Sequence, residues 1–248
     1  MKDNHITNEF RECLIKYFDG STNAIAIDNI EEFANEFFKH ANHIVIRDNP
    51  DGYLKIGDKF IIIEHFEYDA TKRNKKGSET RIEDSRINRK FNNLDNSSYE
   101  TKYVHDQMNV THSTEYLKDN FIKVFTEHNN KINQYKDELI KEGVVGSNSD
   151  VKVMFCCEDK TTFGCLAYDD NKYYAFSVID IKECVDVILK SNVDYLLLCN
   201  SYQNDKCINL LPVSNEILKV SKNKTYHEIN MIDFKPQVIG ASIFVPNK

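Results

Sequence analysis

A single two-residue turn sets the pairing of everything around it. The runs Tyr53-Leu54-Lys55-Ile56 and Lys59-Phe60-Ile61-Ile62-Ile63-Glu64-His65-Phe66 are separated only by Gly57-Asp58. A Gly-Asp pair between two such runs reads as a tight hairpin loop. Counted outward from it, Ile56 faces Lys59, Leu54 faces Ile61 and Asp51 faces Glu64. Side chains directly opposite one another lie about 5 Å apart on the same face of a sheet. Two carboxylates so placed repel, and the arrangement makes sense with a positive group, such as a metal ion, between them. Asn49-Pro50-Asp51-Gly52 also has the composition of a type I turn, in which Asp51 is a plain turn residue. Glu64 is harder to set aside. It follows Phe60-Ile61-Ile62-Ile63, and a buried carboxylate needs a partner or a metal. His65 and Glu67 face the other way.

Hydrophobic periodicity supplies the remaining elements. A helix carries Ile6, Phe10, Leu14, Tyr17 and Phe18, and Gly20 stops it. A second starts at Asp28, with Glu31 completing a capping box. Strands follow over 43–47, 53–56 and 59–68. Ser78 caps a helix holding Ile82, Ile87, Phe91 and Leu94. One long helix over 113–142, ended by Gly143, buries Leu117, Phe121, Val124, His128, Ile132, Tyr135 and Leu139. Next come a strand over 151–157, a hairpin over 162–176 turning at Asp169-Asp170-Asn171, and a helix capped by Asp180 with Glu183. Residues 193–200 form a continuous apolar run, as in a strand covered on both faces. Short strands lie near 208–213 and 238–245. This order makes an α/β chain with a mixed central sheet flanked by helices. A length of 248 residues suits a single domain spanning 1–248, with a charged helical insertion over 71–111 where apolar density falls.

The net charge of -7 excludes a uniformly basic nucleic-acid coat but not a local patch. Such a patch exists, since eight basic residues stand against three acidic ones between Lys72 and Lys90. The seven cysteines are odd in number, lie mostly in apolar runs and include no Cys-x-x-Cys pair. They read as buried thiols of a reduced, cytoplasmic protein rather than a zinc ribbon. Cys156 and Cys157 point to opposite faces of their strand and cannot chelate together. Glu158 and Asp159 read as edge residues beyond it. No run approaches the roughly 20 apolar residues of a membrane span, and no signal-peptide pattern follows Met1.

A helix, a three-strand meander with Pro50-Asp51 and then Glu64 on its second and third strands, a helix and a strand: this order resembles the restriction-endonuclease-like, or PD-(D/E)XK, nuclease superfamily. The match covers about residues 30 to 200, with 12 residues between the two acids. The resemblance implies a restriction-endonuclease-like core in which Asp51 and Glu64 hold magnesium or manganese. Such an ion activates water against a phosphodiester of DNA or RNA. The family often adds a glutamate from the preceding helix; of Glu31, Glu32 and Glu36, Glu36 is the one left uncommitted. It also keeps a lysine two residues after the second acid, where this chain has Phe66. Lys72, just past the strand, is then the candidate for that catalytic role. Arg73, Lys75, Lys76, Arg81, Arg86, Arg89 and Lys90 would meet phosphates; the plainer reading of that segment is a solvated helix with i,i+4 charge pairs. The rival is a catalytically inactive interaction or oligomerisation protein on the same scaffold, forming a homo-oligomer through the long helix. Phe66 favours the rival, and the Asp51–Glu64 pair favours the enzyme.

Overall fold

The computed structural model describes residues 5–18, 23–26, 30–74, 77–92, 102–107, 109–146, 149–161, 165–202, 205–233 and 237–242. The chain opens with α1 (His5–Tyr17), β1 (Asn23–Ala26), α2 (Glu31–His40), β2 (Val45–Ile46), β3 (Gly52–Ile56) and β4 (Lys59–Tyr68). It continues through β5 (Arg73–Asn74), β6 (Gly77–Ser78), α3 (Glu79–Asn92), β7 (Lys102–Gln107), α4 (Thr114–Asn129) and α5 (Ile132–Lys141). The last part holds β8 (Val151–Asp159), β9 (Leu166–Asp169), β10 (Lys172–Ala175), α6 (Lys182–Ile188), β11 (Tyr195–Tyr202), β12 (Asp205–Pro212), α7 (Ile217–Val220) and β13 (Gln237–Ser242).

Seven strands form one mixed sheet in the order β1-β12-β11-β8-β4-β3-β2. The β3–β4 hairpin keeps the counted register, with Ile56 opposite Lys59 and Leu54 opposite Ile61. Gly57 takes a φ of 58°, which a tight turn of this kind requires. From β4 the sheet turns parallel: β4 pairs with β8, and β8 with β11. Parallel neighbours need crossovers; α4 and α5 make the first and α6 the second.

The alternation of β4 sorts the core into two faces. Ile61 and Ile63 join Leu54 and Ile56 beneath Phe10, Cys13 and Tyr17 of α1 and Ala34 and Phe37 of α2. On the other face, Phe60 and Ile62 meet Tyr135 and Leu139 of α5. Phe66 and Tyr68 meet Phe121 and Phe125 of α4. Glu64 stands on this second face, between the two apolar pairs.

Several local boundaries differ from the sequence expectation. The long helix is two: Asn130 and Lys131 interrupt it, with Lys131 N–H tightening onto His128 O. Asn129 Oδ1 is drawn instead to the backbone N–H of Asn192. The residue before α2 is Ile30, without a side-chain cap; Asp28 lies outside the described residues, and Glu31 is exposed. Only Val45–Ile46 of 43–47 is strand, because a 3₁₀ turn over Ala41–His43 prolongs α2. The capping box near α6 lies one turn earlier, between Ser177 and Asp180. Glu183 accepts from the Tyr226 N–H. β8 extends through Glu158 and Asp159, which are buried rather than edge residues. Ser78 does cap α3, accepting from the Arg81 N–H. The second hairpin does turn through Asp170 and Asn171, both at positive φ. Within 71–111, β5 pairs with β6, and β7 pairs with β13, outside the main sheet.

Candidate functional site

Asp51 and Glu64 converge, 3% and 5% exposed. The Asp51 N–H donates to Glu64 Oε2 at 3.3 Å, and the His65 N–H donates to Asp51 Oδ2 at 2.7 Å. From the crossover helices, Tyr135 Oη donates to Glu64 Oε1 at 2.7 Å, and His128 Nδ1 lies 2.6 Å from the same oxygen. Burial first and Glu64 second push the Tyr135 hydroxyl up, so it remains a donor. Asp51 is pushed up to about 7, by burial and then by the neighbouring Glu64 carboxylate. Protein donors thus already satisfy Glu64 Oε1, Glu64 Oε2 and Asp51 Oδ2. That donor set meets the hydrogen-bonding needs of these three oxygens within the protein. Phe66, where the resemblance expected a lysine, stacks on the His128 ring, centroids 5.3 Å apart at 14°. It thereby backs the imidazole against Glu64 while packing on Phe121, Phe125 and Phe155.

The other expected site residues lie elsewhere. Glu36 is exposed on α2, which covers the opposite face of the sheet. Among the described residues, no hydrogen bond or ion pair joins Lys72 to Asp51 or Glu64. Arg86 is forked onto Glu83 and the Gln107 carbonyl, and Arg89 Nε donates to Ser85 O. Lys90 is exposed on α3. Lys75 and Lys76 lie outside the described residues.

Lys72, Arg73 and Arg81 come together at a different place. β4 and β8 run parallel and end side by side, with Glu67 opposite Glu158. A cleft opens there, bounded by Glu67, Asp69, Arg73, Arg81, Asn120 and Lys160. Ligands of α/β sheets favour such carboxyl ends. Lys160 Nζ lies 3.6 Å from Glu67 Oε1 and 3.4 Å from Glu158 Oε1. Burial pulls the Lys160 ammonium down, but Glu158 and Glu67 outweigh it and hold the group charged. Arg81 pairs with Glu67, and Lys16 of α1 reaches Glu158 at 3.0 Å. Asn120 Nδ2 donates to the carbonyls of Asp69 and Thr71, which fixes the chain as it leaves β4. A second depression shares Arg73 and Asn120 with the first and adds Lys72, Asn74, Tyr116, Lys123 and one acid, Asp119. Lys160, Arg81, Arg73, Lys72 and Lys123 therefore all line one or other of these two depressions.

Sequence reasoning missed Lys160, Lys123, His128 and Tyr135 as members of these clusters. Lys160 carried one local signal, as a cation ending an apolar strand. His128 and Tyr135 stood in the buried stripe of their helix, but nothing local paired them with Glu64, and Lys123 carried no signal. No family model, curated protein or solved structure matches the chain.

Proposed function

We propose that this is a nuclease-like α/β protein that binds nucleic-acid phosphodiesters, DNA or RNA, along the two joined depressions beside β4. The observation that carries the reading is the gathering of five cations around two depressions that share Arg73 and Asn120, in a chain whose net charge is -7. Lys72, Arg73 and Lys123 are exposed, and among the described residues none of the three is held in an ion pair. They are placed to neutralise successive phosphates, while half-buried Tyr116 offers a ring for base stacking. Glu67 and Asp69 are occupied by protein partners, Arg81 and Lys160 for the one and Thr71 for the other. Binding, rather than a metal-assisted step at Asp51 and Glu64, is what these side chains serve directly.

The test is fluorescence anisotropy with labelled single-stranded and duplex DNA and RNA over a salt series. Binding should weaken steeply with salt. The triple variant Lys72→Ala, Arg73→Ala, Lys123→Ala should flatten the dependence of log affinity on log salt by roughly 0.7–0.9 per lost contact. Lys55→Ala with Lys59→Ala, at the far end of the β3–β4 hairpin, should change nothing. Equal salt slopes for wild type and the triple variant, or no binding by the wild type, would sink the proposal. Adding magnesium or manganese and resolving the products on a gel reads hydrolysis separately.

A further inference from the structure

The hairpin of β9 and β10 lies outside the main sheet. Its register sets Tyr168 opposite Tyr173 and Leu166 opposite Ala175, so these four side chains share one face. The solvent face of a hairpin is ordinarily polar. Here none of the four is charged, and three are exposed, Tyr173 to 71%. The opposite face is satisfied within the chain. Ala167 is buried, Lys222 Nζ lies 3.3 Å from the centre of the Tyr174 ring, and Lys224 pairs with Asp169. On the outer face the two tyrosine rings are held in place. Asp170 and Asn171 both take positive φ, as a two-residue hairpin turn requires. Tyr168 Oη donates to Asn171 Oδ1 at 2.8 Å, and Tyr173 leans on Tyr168, centroids 5.1 Å apart at 49°.

The hairpin is tied to the cationic surface. The Tyr168 N–H donates to Asn230 O and the Ile232 N–H to Leu166 O, so this stretch of chain lies against β9. The same stretch holds the residues that lead into the second depression. Thr114 Oγ1, two residues before Tyr116, donates to Ile229 O, and the His112 N–H donates to Asp233 Oδ1. His112 in turn bridges Thr71, the neighbour of Lys72. Residues 229–233 thus join Lys72 and Tyr116 on one side to Tyr168 and Tyr173 on the other. A lone exposed apolar residue is ordinary. A fixed pair of exposed rings beside a cation-lined surface offers what the cations do not, a flat apolar face for a base. Lys222 Nζ, 3.5 Å from Ala175 O, sets a cation at the hairpin edge, where a phosphate between stacked bases would lie.

We propose that Tyr168 and Tyr173 form a stacking platform for unpaired bases, and that the nucleic acid bound along the depressions is single-stranded. The inference rests on the phosphodiester-binding reading and narrows its ligand class. A duplex keeps its bases stacked on one another and shows the hairpin mainly phosphate and sugar. A single strand can turn a base out onto a ring. Lys72, Arg73 and Lys123 take the phosphates of either form, so they set affinity and its salt dependence, and the tyrosines set strandedness. A tyrosine loses little conformational freedom when a base docks on it, and the Tyr168 hydroxyl is already anchored by Asn171.

The test titrates the full chain into labelled oligothymidine, oligouridine and a DNA duplex of equal length. Single strands should bind more tightly than the duplex. Tyr173→Ala should weaken single-strand binding about fivefold or more and leave duplex binding and the salt slope unchanged. Tyr173→Phe, which keeps the ring, should bind as wild type does. Irradiating the wild type on an iodouracil-substituted strand should cross-link it at Tyr168 or Tyr173, located by mass spectrometry. Equal single-strand affinity of wild type and Tyr173→Ala, an equal loss on the duplex, or cross-links confined to Tyr116 would overturn the platform and leave the phosphodiester reading standing. Self-association of the wild type in sedimentation velocity, abolished by Tyr173→Ala, would give the face to a second copy of the chain and overturn it as well. A wild type that binds neither form removes both readings.

Discussion

Glu64 keeps its place in an apolar strand because two side chains from the crossover helices come down to meet it. Tyr135→Phe removes one donor and leaves the rest of the packing intact. It should cost about 1–3 kcal/mol, the range for leaving a buried hydrogen-bonding group unsatisfied, read as a lower urea midpoint. Glu64→Ala should cost more, since it strands both His128 and Tyr135. A Glu64→Ala protein as stable as wild type would instead mark the acid as a tolerated source of repulsion kept for a ligand. Asp51 gives a prediction with a sign. Its carboxyl is raised from 3.8 to about 7. Below pH 3.8 folded and unfolded chains both hold the proton; between 3.8 and about 7 the unfolded chain releases it and the folded chain retains it. Stability is therefore lost as pH rises through that window and levels off above it. Asp51→Asn keeps an acceptor for the His65 N–H and removes the titration. It should raise the urea midpoint at about pH 8 and leave it unchanged at about pH 4. Parallel pH profiles for the two proteins would contradict this. The pairing of Asp51 with Glu64 could be read from the chain because a two-residue loop leaves only one way to count. Their partners could not, since His128 and Tyr135 lie 64 and 71 residues beyond Glu64 and reach it only through the crossover.

Elements whose signals are local were legible; those that answer to a distant neighbour were not. The β3–β4 register and the Asp170-Asn171 turn follow from loop chemistry. The break between α4 and α5 does not, because the buried stripe runs on in phase through Leu117, Phe121, Val124, Ile132, Tyr135 and Leu139. At the break, Asn129 Oδ1 accepts from the distant Asn192 N–H, a contact no local pattern announces. The start of β3 is another contact of this kind. A Cβ built at Gly52 would stand 2.8 Å from Phe10 Cε1, 3.1 Å from Val45 O and 3.2 Å from Ile44 Cγ2. Helix α1 and strand β2 therefore close over a position that has no room for a side chain. Gly52→Ala should lower stability by about 1–3 kcal/mol, the usual penalty for overpacking. The urea midpoint should fall while the m-value stays constant, because the same surface is buried. An unchanged midpoint would mean that α1 docks loosely enough to yield.

For the molecule as a whole, the question is how much depends on α1. The sheet is covered on one face by the crossover helices α4, α5 and α6, each of which lies between two strands of the sheet in the chain. The other face is covered by α1 and α2, and α1 stands at the N-terminal end of the described chain. Phe10, Cys13 and Tyr17 are among its most buried side chains, and they lie over Leu54, Ile61, Ile63, Met154 and Leu210. Fully burying a large apolar side chain contributes about 1.5–3 kcal/mol. Losing two such aromatics and uncovering the strands beneath them rivals the roughly 5–15 kcal/mol that holds a domain folded. A chain starting at Asn23 should accordingly lose its near-UV circular dichroism, bind 8-anilinonaphthalene-1-sulfonate and aggregate, even with Lys72, Arg73, Arg81, Lys123 and Lys160 all still present. This outcome follows from apolar cover alone. A truncated chain that stays monomeric and keeps a cooperative unfolding transition would show that α2 and the strands close that face by themselves, and that α1 is an appendage rather than a wall of the core.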